Sequence, residues 1–425
     1  MSKYTDSSKK LLKFIEESPT CFHAVANLAE MLKKAGFCEL KETDKYKVAK
    51  GGKYFVTRND SSILAFVVPK TKVQGYHISA AHSDSPCFKI KENPEIVAEN
   101  HYIKLNVEKY GGMIDSPWLD RPLSVAGRVV CKVKNKWLTK LVNIKKDLLI
   151  IPNLAIHMDR EINKGKEYNA QTDLAPLYAL GSEAGSFMEL IAKGAGVKAE
   201  EIYGHDLFLY PRTAGGFLGP NDEMIYSPRL DDLHSAYGCM VGLINAEPKD
   251  YINVCVVFDN EEIGSGTKQG ADSTFLEDNL RRIEIALEGD AEDLTRKIAG
   301  SFLISSDNAH AVHPNHPEKA DPTNRPFLNG GIVIKYHGSL KYATDAVSAA
   351  KMKDWCKKAK VPFQTYHNRS DLPGGSTLGN ISTAHVSIDS VDIGLPQLAM
   401  HSCLETAGTE DVYNLIEAMK SFYSE

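Results

Sequence analysis

The second half of the chain consists of short, nearly continuous apolar runs that end on charge, separated by amphipathic stripes. Ile252–Phe258 leads into Asp259, Glu261 and Glu262. Phe302–Ser305 leads into Asp307, and Val386–Ile393 leads through a short loop to His401. Earlier in the chain, Tyr76–Ala81 runs into His82 and Asp84, and Gly331–Tyr336 is a further run of the same kind. Apolar runs of this length without alternation are strands buried on both faces. Leu233, Ala236, Tyr237, Met240, Val241 and Ile244 have helical spacing, as do Val412, Leu415, Ile416, Met419 and Phe422. Thr409 is expected to cap the last helix. Strands alternating with helices predict an α/β fold, with a mixed, mainly parallel sheet covered by helices on both faces. Ligands of such sheets bind outside the carboxyl ends of the strands, where this chain concentrates acids and imidazoles.

A chain of 425 residues exceeds what one hydrophobic core organises. Two amphipathic helices open it, one burying Leu11, Phe14 and Ile15, the other Val25, Leu28, Met31 and Leu32 before Gly36. Strands follow at Tyr54–Thr57 and Ile63–Val68. From Lys91 to Tyr226 the texture changes to short β-like runs between turn signals, such as Val125–Val133 and Leu148–Ile151, closed by Gly215–Gly219. Residues 91–226 are therefore expected to form an inserted β-rich domain, serving as lid or dimerisation surface. Residues 1–90 plus 227–425 are expected to form the catalytic domain.

Several function classes are excluded. The net charge of −5 comes without a long basic run, so nucleic acid is not an expected partner. Eight scattered cysteines with no CxxC pair supply neither a disulfide framework nor a cysteine zinc cluster. No apolar run approaches the roughly 18 residues of a membrane span, and Met1–Ser18 lacks the apolar core of a signal peptide. A cytoplasmic protein is expected.

Taken singly, an acid after a strand is most often a turn residue or a helix cap. Asp231, Glu261, Glu262 and Asp307 gathered at one rim would repel one another and resist desolvation. Two divalent cations about 3.5–4 Å apart resolve that conflict by sharing one bridging carboxylate and one water. Two histidines, one bridging Asp, two terminal carboxylates and one Glu left over as base match that inventory.

The segments "AAHSDSPCFKIK" (Ala80–Lys91), "SPRLDDLHS" (Ser227–Ser235), "FDNEEIGS" (Phe258–Ser265), "SSDNAHAVHPN" (Ser305–Asn315) and "LPQLAMHS" (Leu395–Ser402) resemble those of the aspartyl aminopeptidase family of two-metal peptidases, in the same order. The resemblance implies His82, Asp231 and Asp307 on one metal, and Asp231, Glu262 and His401 on the other. It implies Glu261 as general base and Asp84 as the residue that orients His82. It further implies a cis peptide at Asp231–Asp232; Asp232 itself departs from the Asn frequent in the family. Lys335 would receive an acidic first side chain of the substrate. The loop Asp371–Gly379, with Gly375, would lie near the free α-amine. His157 would be lent to a neighbouring subunit's site, and His310 and His313 would lie near the pocket. Zn²⁺ is the expected metal, with Mn²⁺ and Co²⁺ compatible. Short peptides with a free N-terminus are the implied substrates, and a dodecamer built from dimers is the implied assembly.

Three alternatives stand beside this reading. They are the same chemistry with a neutral or apolar first residue, a related two-metal carboxypeptidase or deacylase, and a peptide-binding protein without turnover.

Overall fold

The computed structural model describes residues 2–425. The chain divides into two compact units. The first comprises residues 1–84, 215–400 and 405–425, and the second residues 85–214 and 401–404.

The first unit is organised by a nine-stranded sheet. Its strands are β1 (Cys38–Leu40), β2 (Lys53–Arg58), β3 (Ser62–Val67), β4 (Gly75–His82), β5 (Tyr251–Phe258), β6 (Phe302–Ser306), β7 (Ile332–Tyr336), β8 (Phe363–His367) and β9 (Asp389–Gly394). Their spatial order is β1-β2-β3-β5-β4-β6-β9-β7-β8. The four central strands β5, β4, β6 and β9 are mutually parallel. The pairs β2–β3, β3–β5 and β9–β7 are antiparallel, so the sheet is mixed and mainly parallel, as expected. Parallel neighbours end on the same rim, which brings the residues after β4, β5 and β6 together.

Both faces are covered. Ala81, Cys255 and Val257 point into one core with the helices Lys3–Glu17, Cys21–Lys34, Leu230–Asn245, Ala346–Ala359 and Asp411–Tyr423. Tyr76, Ile78, Ala80, Val254 and Val256 point into the other, against Phe275–Ala286 and Leu378. The nearly continuous apolar sequence of β4 and β5 thus follows from two-sided burial. A second sheet in this unit has five short strands, including Met224–Ser227, Pro396–Leu398 and Glu405–Gly408.

The second unit holds a six-stranded antiparallel sheet, with Lys136–Asn143 at one edge and Leu177–Leu180 at the other. Its core includes Phe88, Trp118, Val125, Val129, Phe187 and Cys403.

Some sequence expectations are corrected. The division falls before Ser85 and before Gly215, earlier than residues 91 and 227. Cys87 already begins a strand of the second unit's sheet, whereas Gly216–Leu218 pairs with Met224–Ser227 in the first unit. Thr409 does not cap the last helix: its hydroxyl donates to the Asp222 carbonyl, and Glu410 occupies the cap position. Val386–Ile393 is a strand only from Asp389, because Val386 closes the helix Leu378–His385. Leu148–Ile151 makes only isolated bridges, Leu149 to Leu123 and Ile150 to Leu177.

The helix Leu230–Asn245 packs closely on Asp411–Tyr423 through two glycines one turn apart. A Cβ at Gly238 would lie 2.5 Å from Leu415 Cδ2, and one at Gly242 2.5 Å from Met419 Cβ. Gly242→Ala is expected to destabilise the first unit by about 1–3 kcal/mol through overpacking. Gly238→Ala should cost less, because the flexible end of Leu415 can yield. Denaturant unfolding midpoints of the two variants check the order.

Candidate metal centre

His82 is the last residue of β4 and is buried. Its backbone N–H donates to Asp232 Oδ2 at 3.1 Å. Its ring Nδ1 lies 3.2 Å from the Asp84 carbonyl oxygen and 3.4 Å from Asp84 Oδ1. The other ring nitrogen, Nε2, is 3.5 Å from Asp231 Oδ1 and 3.9 Å from Asp307 Oδ1. Those separations are long for hydrogen bonds. They suit atoms sharing a cation, since bonds of about 2.0–2.2 Å leave neighbouring ligand atoms roughly 3–4 Å apart. Ligand atoms of His82, Asp231, Asp232 and Asp307 all lie within 4.8 Å of one another.

Each residue is delivered by a strand end or a helix start. Asp307 follows β6, and its backbone N–H donates to the Ile393 carbonyl of β9 at 3.1 Å. Asp231 and Asp232 open the helix Leu230–Asn245, and the peptide between them is cis. Glu261 and Glu262 begin a 3₁₀ turn after β5. The turn is gripped by Asp84, whose Oδ1 accepts the Glu261 N–H at 3.1 Å and whose Oδ2 accepts the Glu262 N–H at 3.2 Å.

The electrostatics are those of a site built for positive charge. Burial pushes the Glu261 carboxyl up to about 8; the His82 charge opposes this, and Asp307, Asp84 and Asp231 add to it. Burial likewise raises Glu262 and Asp232 well above the usual carboxylate range. For His82, burial opposes the charged form, yet Asp231, Asp232, Asp307 and Asp84 outweigh it and raise its pKa. Burial thus shifts Asp232, Glu261 and Glu262 toward the protonated form. Carboxylate oxygens and an imidazole are also the donor set that zinc, manganese and cobalt accept, so the residues fit a divalent ion.

Several contributors carried no signal in the strand-end reading. The buried Glu405 accepts the Asp231 N–H at 3.0 Å. Asn308 Nδ2 donates to the Leu230 carbonyl and to Gln397 Oε1, both at 2.8 Å, and Ser235 Oγ donates to Asn308 Oδ1 at 3.3 Å. Their trace in the sequence is polar residues inside otherwise apolar runs, such as Gln397 in "LPQLAM", which must find partners once buried.

The remaining candidates have the following surroundings. Lys335 is buried at the end of β7, with its ammonium 2.7 Å from the Asp307 carbonyl oxygen. His310 and His313 are exposed, and His313 Nδ1 accepts the Asn315 N–H at 3.2 Å. Gly375 is exposed, and a Cβ there would meet open space. His157 is exposed in the second unit. His401 lies in the segment His401–Leu404, which joins two strands of the small sheet and groups with the second unit; its Nδ1 is 2.6 Å from the Gly112 carbonyl oxygen.

Residues 14–423 match the family described as aminopeptidase I zinc metalloprotease (M18). The chain belongs to the M18 family. It is similar to a probable M18 family aminopeptidase 2 of Clostridium novyi, with 50% identity covering 98% of both chains. A Pseudomonas aeruginosa protein of the same description is 42% identical over 97% of both. Among solved structures, the chain resembles one from the Ape4 and Nbr1 complex (TM-score 0.95, 34% identity, 100% of this chain and 87% of that one). It also resembles the S. cerevisiae mApe1 dodecamer, with a TM-score of 0.88, 27% identity, and coverage of 99% of this chain and 97% of that one. The protein is thus a metal-dependent aminopeptidase, a hydrolase of the zinc metalloprotease class. No helix among the described residues is long and apolar enough to cross a membrane.

The raised pKa values set a pH dependence for the metal-free protein. Carboxyls whose folded pKa exceeds the unfolded value take up protons on folding, so their contribution weakens as pH rises above about 4.5. His82, also raised, loses its contribution in the same direction. Chelator-treated protein is expected to melt at progressively lower temperature from pH 5 to pH 8, with Glu261 titrating near the top of that window. Metal-loaded protein should lack most of this slope. Thermal melts with and without chelator across that range check it.

Proposed function

We propose that this M18 enzyme removes one residue at a time from the free N-terminus of short peptides, with two divalent ions and Glu261 as general base. One observation carries the reading: buried ligand atoms of His82, Asp231 and Asp307, the residues the family resemblance assigns to one metal, converge with Asp232 within 4.8 Å of one another. His82, Asp231 and Asp307 would hold one ion. Asp231, Glu262 and His401 would hold the other, with Asp231 shared. Zinc is the preferred ion by family and donor set, with manganese and cobalt compatible.

When bound, such a pair supplies a water of near-neutral pKa and a positive field at the scissile carbonyl. Glu261 takes the proton of the attacking water and returns it to the leaving amine. A carboxyl poised near neutrality by burial suits a group that must accept and release a proton in one cycle. Asp84 fixes the backbone from which Glu261 projects and sets the His82 ring.

The pocket residues proposed from the resemblance are Lys335, His313, Gly375 and a neighbouring subunit's His157. That resemblance favours an acidic first residue received by Lys335. A second reading, a neutral first residue, is favoured by the engagement of the Lys335 ammonium with the Asp307 backbone. Assembly into a dodecamer is proposed from the mApe1 dodecamer. The exposed Leu154, Ile156, Met158 and Leu180 of the second unit give it apolar surface suited to a subunit contact. A cytoplasmic location is consistent with the buried thiols of Cys131, Cys239, Cys255 and Cys356.

Glu261→Gln is expected to keep its metals and lose at least about 10²-fold in kcat. Metal content by mass spectrometry and turnover of a free-amine dipeptide check both parts. The same dipeptide, N-acetylated, should resist cleavage. Cleavage of the blocked form alone would sink the aminopeptidase assignment in favour of a deacylase.

A further inference from the structure

Asn260 is the buried residue that leads the chain from the end of β5 into Glu261 and Glu262. Its backbone takes the left-handed conformation (φ 63°, ψ 25°), which asparagine tolerates better than most residues with a side chain. Its N–H donates to Asp259 Oδ1 at 2.8 Å, and its carbonyl accepts the Ser265 N–H at 2.8 Å. Its side-chain Oδ1 accepts from Thr267 Oγ1 and from Gln269 Nε2, both at 2.8 Å. Gln269 in turn is tied to the sheet. Its carbonyl accepts from Ser62 Oγ of β3 at 2.7 Å and from the Asp259 N–H at 3.3 Å.

The loop after the two glutamates has little apolar contact to hold it. From Glu261 to Gln269 only Ser265 is buried, and Ile263, Gly264, Gly266 and Lys268 are exposed. Its geometry therefore depends on directional polar bonds rather than on packing. Asp84 grips the start of the segment through the Glu261 and Glu262 N–H groups. The Asn260 amide oxygen grips its far end, because Thr267 and Gln269 return to it seven and nine residues on. The stretch that carries Glu261 and Glu262 is thus closed into a ring by the side chain just before them. Losing a group that orients a metal ligand typically costs about 10–100-fold in affinity or activity.

We infer that Asn260 is a positioning residue that, through Thr267 and Gln269, holds Glu261 and Glu262 in place together. The inference rests on the roles proposed for those glutamates, one as base and one as a ligand of a single ion. A residue that served stability alone would not separate the two ions.

The test uses the full-length enzyme in two variants. Asn260→Gly keeps the left-handed turn but removes the amide, and Thr267→Val with Gln269→Met removes the two donors from the other side. Turnover of the dipeptides Asp-Ala and Leu-Ala gives kcat and KM, and chelator competition gives the two zinc dissociation constants. Each variant is expected to lose about tenfold or more in kcat on whichever dipeptide the wild type cleaves. kcat/KM should fall in proportion, with KM unchanged. One zinc should bind about tenfold or more weakly, and the other as in the wild type. Combining all three substitutions should cost no more than either variant alone, because the residues act through one set of bonds. Wild-type turnover together with two wild-type zinc affinities, in either folded variant, would overturn the inference. Equal weakening of both ions, or losses that add in the combined variant, would overturn it too. Thr267→Val with Gln269→Met decides the matter if Asn260→Gly does not fold, since both of those side chains are only half-buried. If the wild type binds two zinc ions yet cleaves neither dipeptide, the peptidase reading fails instead. The zinc affinities alone then decide the role of Asn260: one weakened supports it, both unchanged overturns it.

Discussion

Desolvated like charge is the constraint on which the rest of the first unit depends. Asp231, Asp232, Asp307, Glu261 and Glu262 are drawn toward one rim, and burial raises the pKa of Asp232, Glu261 and Glu262. No arrangement of protein dipoles alone would make that cluster comfortable while all its members are ionised. Positive charge has to enter, as protons in the metal-free state or as divalent ions in the working one. The parallel arrangement of β5, β4, β6 and β9 creates the crowding, because it ends neighbouring strands on the same side. The backbone clamps from Asp84, Glu405 and Lys335 keep it from dispersing.

Much of this was legible in the sequence, for an identifiable reason. Strands buried on both faces are written as unbroken apolar runs, so β4, β5 and β6 stood out, and the charged residues just beyond them marked the rim. His82, Glu261, Glu262 and Asp307 were therefore visible by position. Asp231 and His401 stood out less, one before a helical stripe and the other across a loop from its strand, and it took the resemblance of whole segments to assign either to a metal. Thr409 misled because a threonine before a helical stripe looks like a cap, while its hydroxyl is taken by the Asp222 carbonyl. The edges of the inserted unit were missed by several residues because strand texture continues across both junctions. Glu405 and Asn308 were invisible, since the partner that gives each its role is remote in sequence.

Lys335 was named only through the resemblance. A lysine at the end of an apolar strand is ordinarily expected to reach water along its stem. Instead, the side chain is 3% exposed and its charge is matched by Asp307 and, across the strand pair, Asp392. Charge pairing inside the sheet, which periodicity cannot express, decides where that ammonium goes.

The two oxygens of Asp84 divide their attention between adjacent peptide groups, one belonging to the residue proposed to move protons and the other to a residue proposed to hold a cation. A single carboxylate therefore steers both as one rigid piece. On the proposed roles, a drift in that grip would reach ion retention and acid–base timing together.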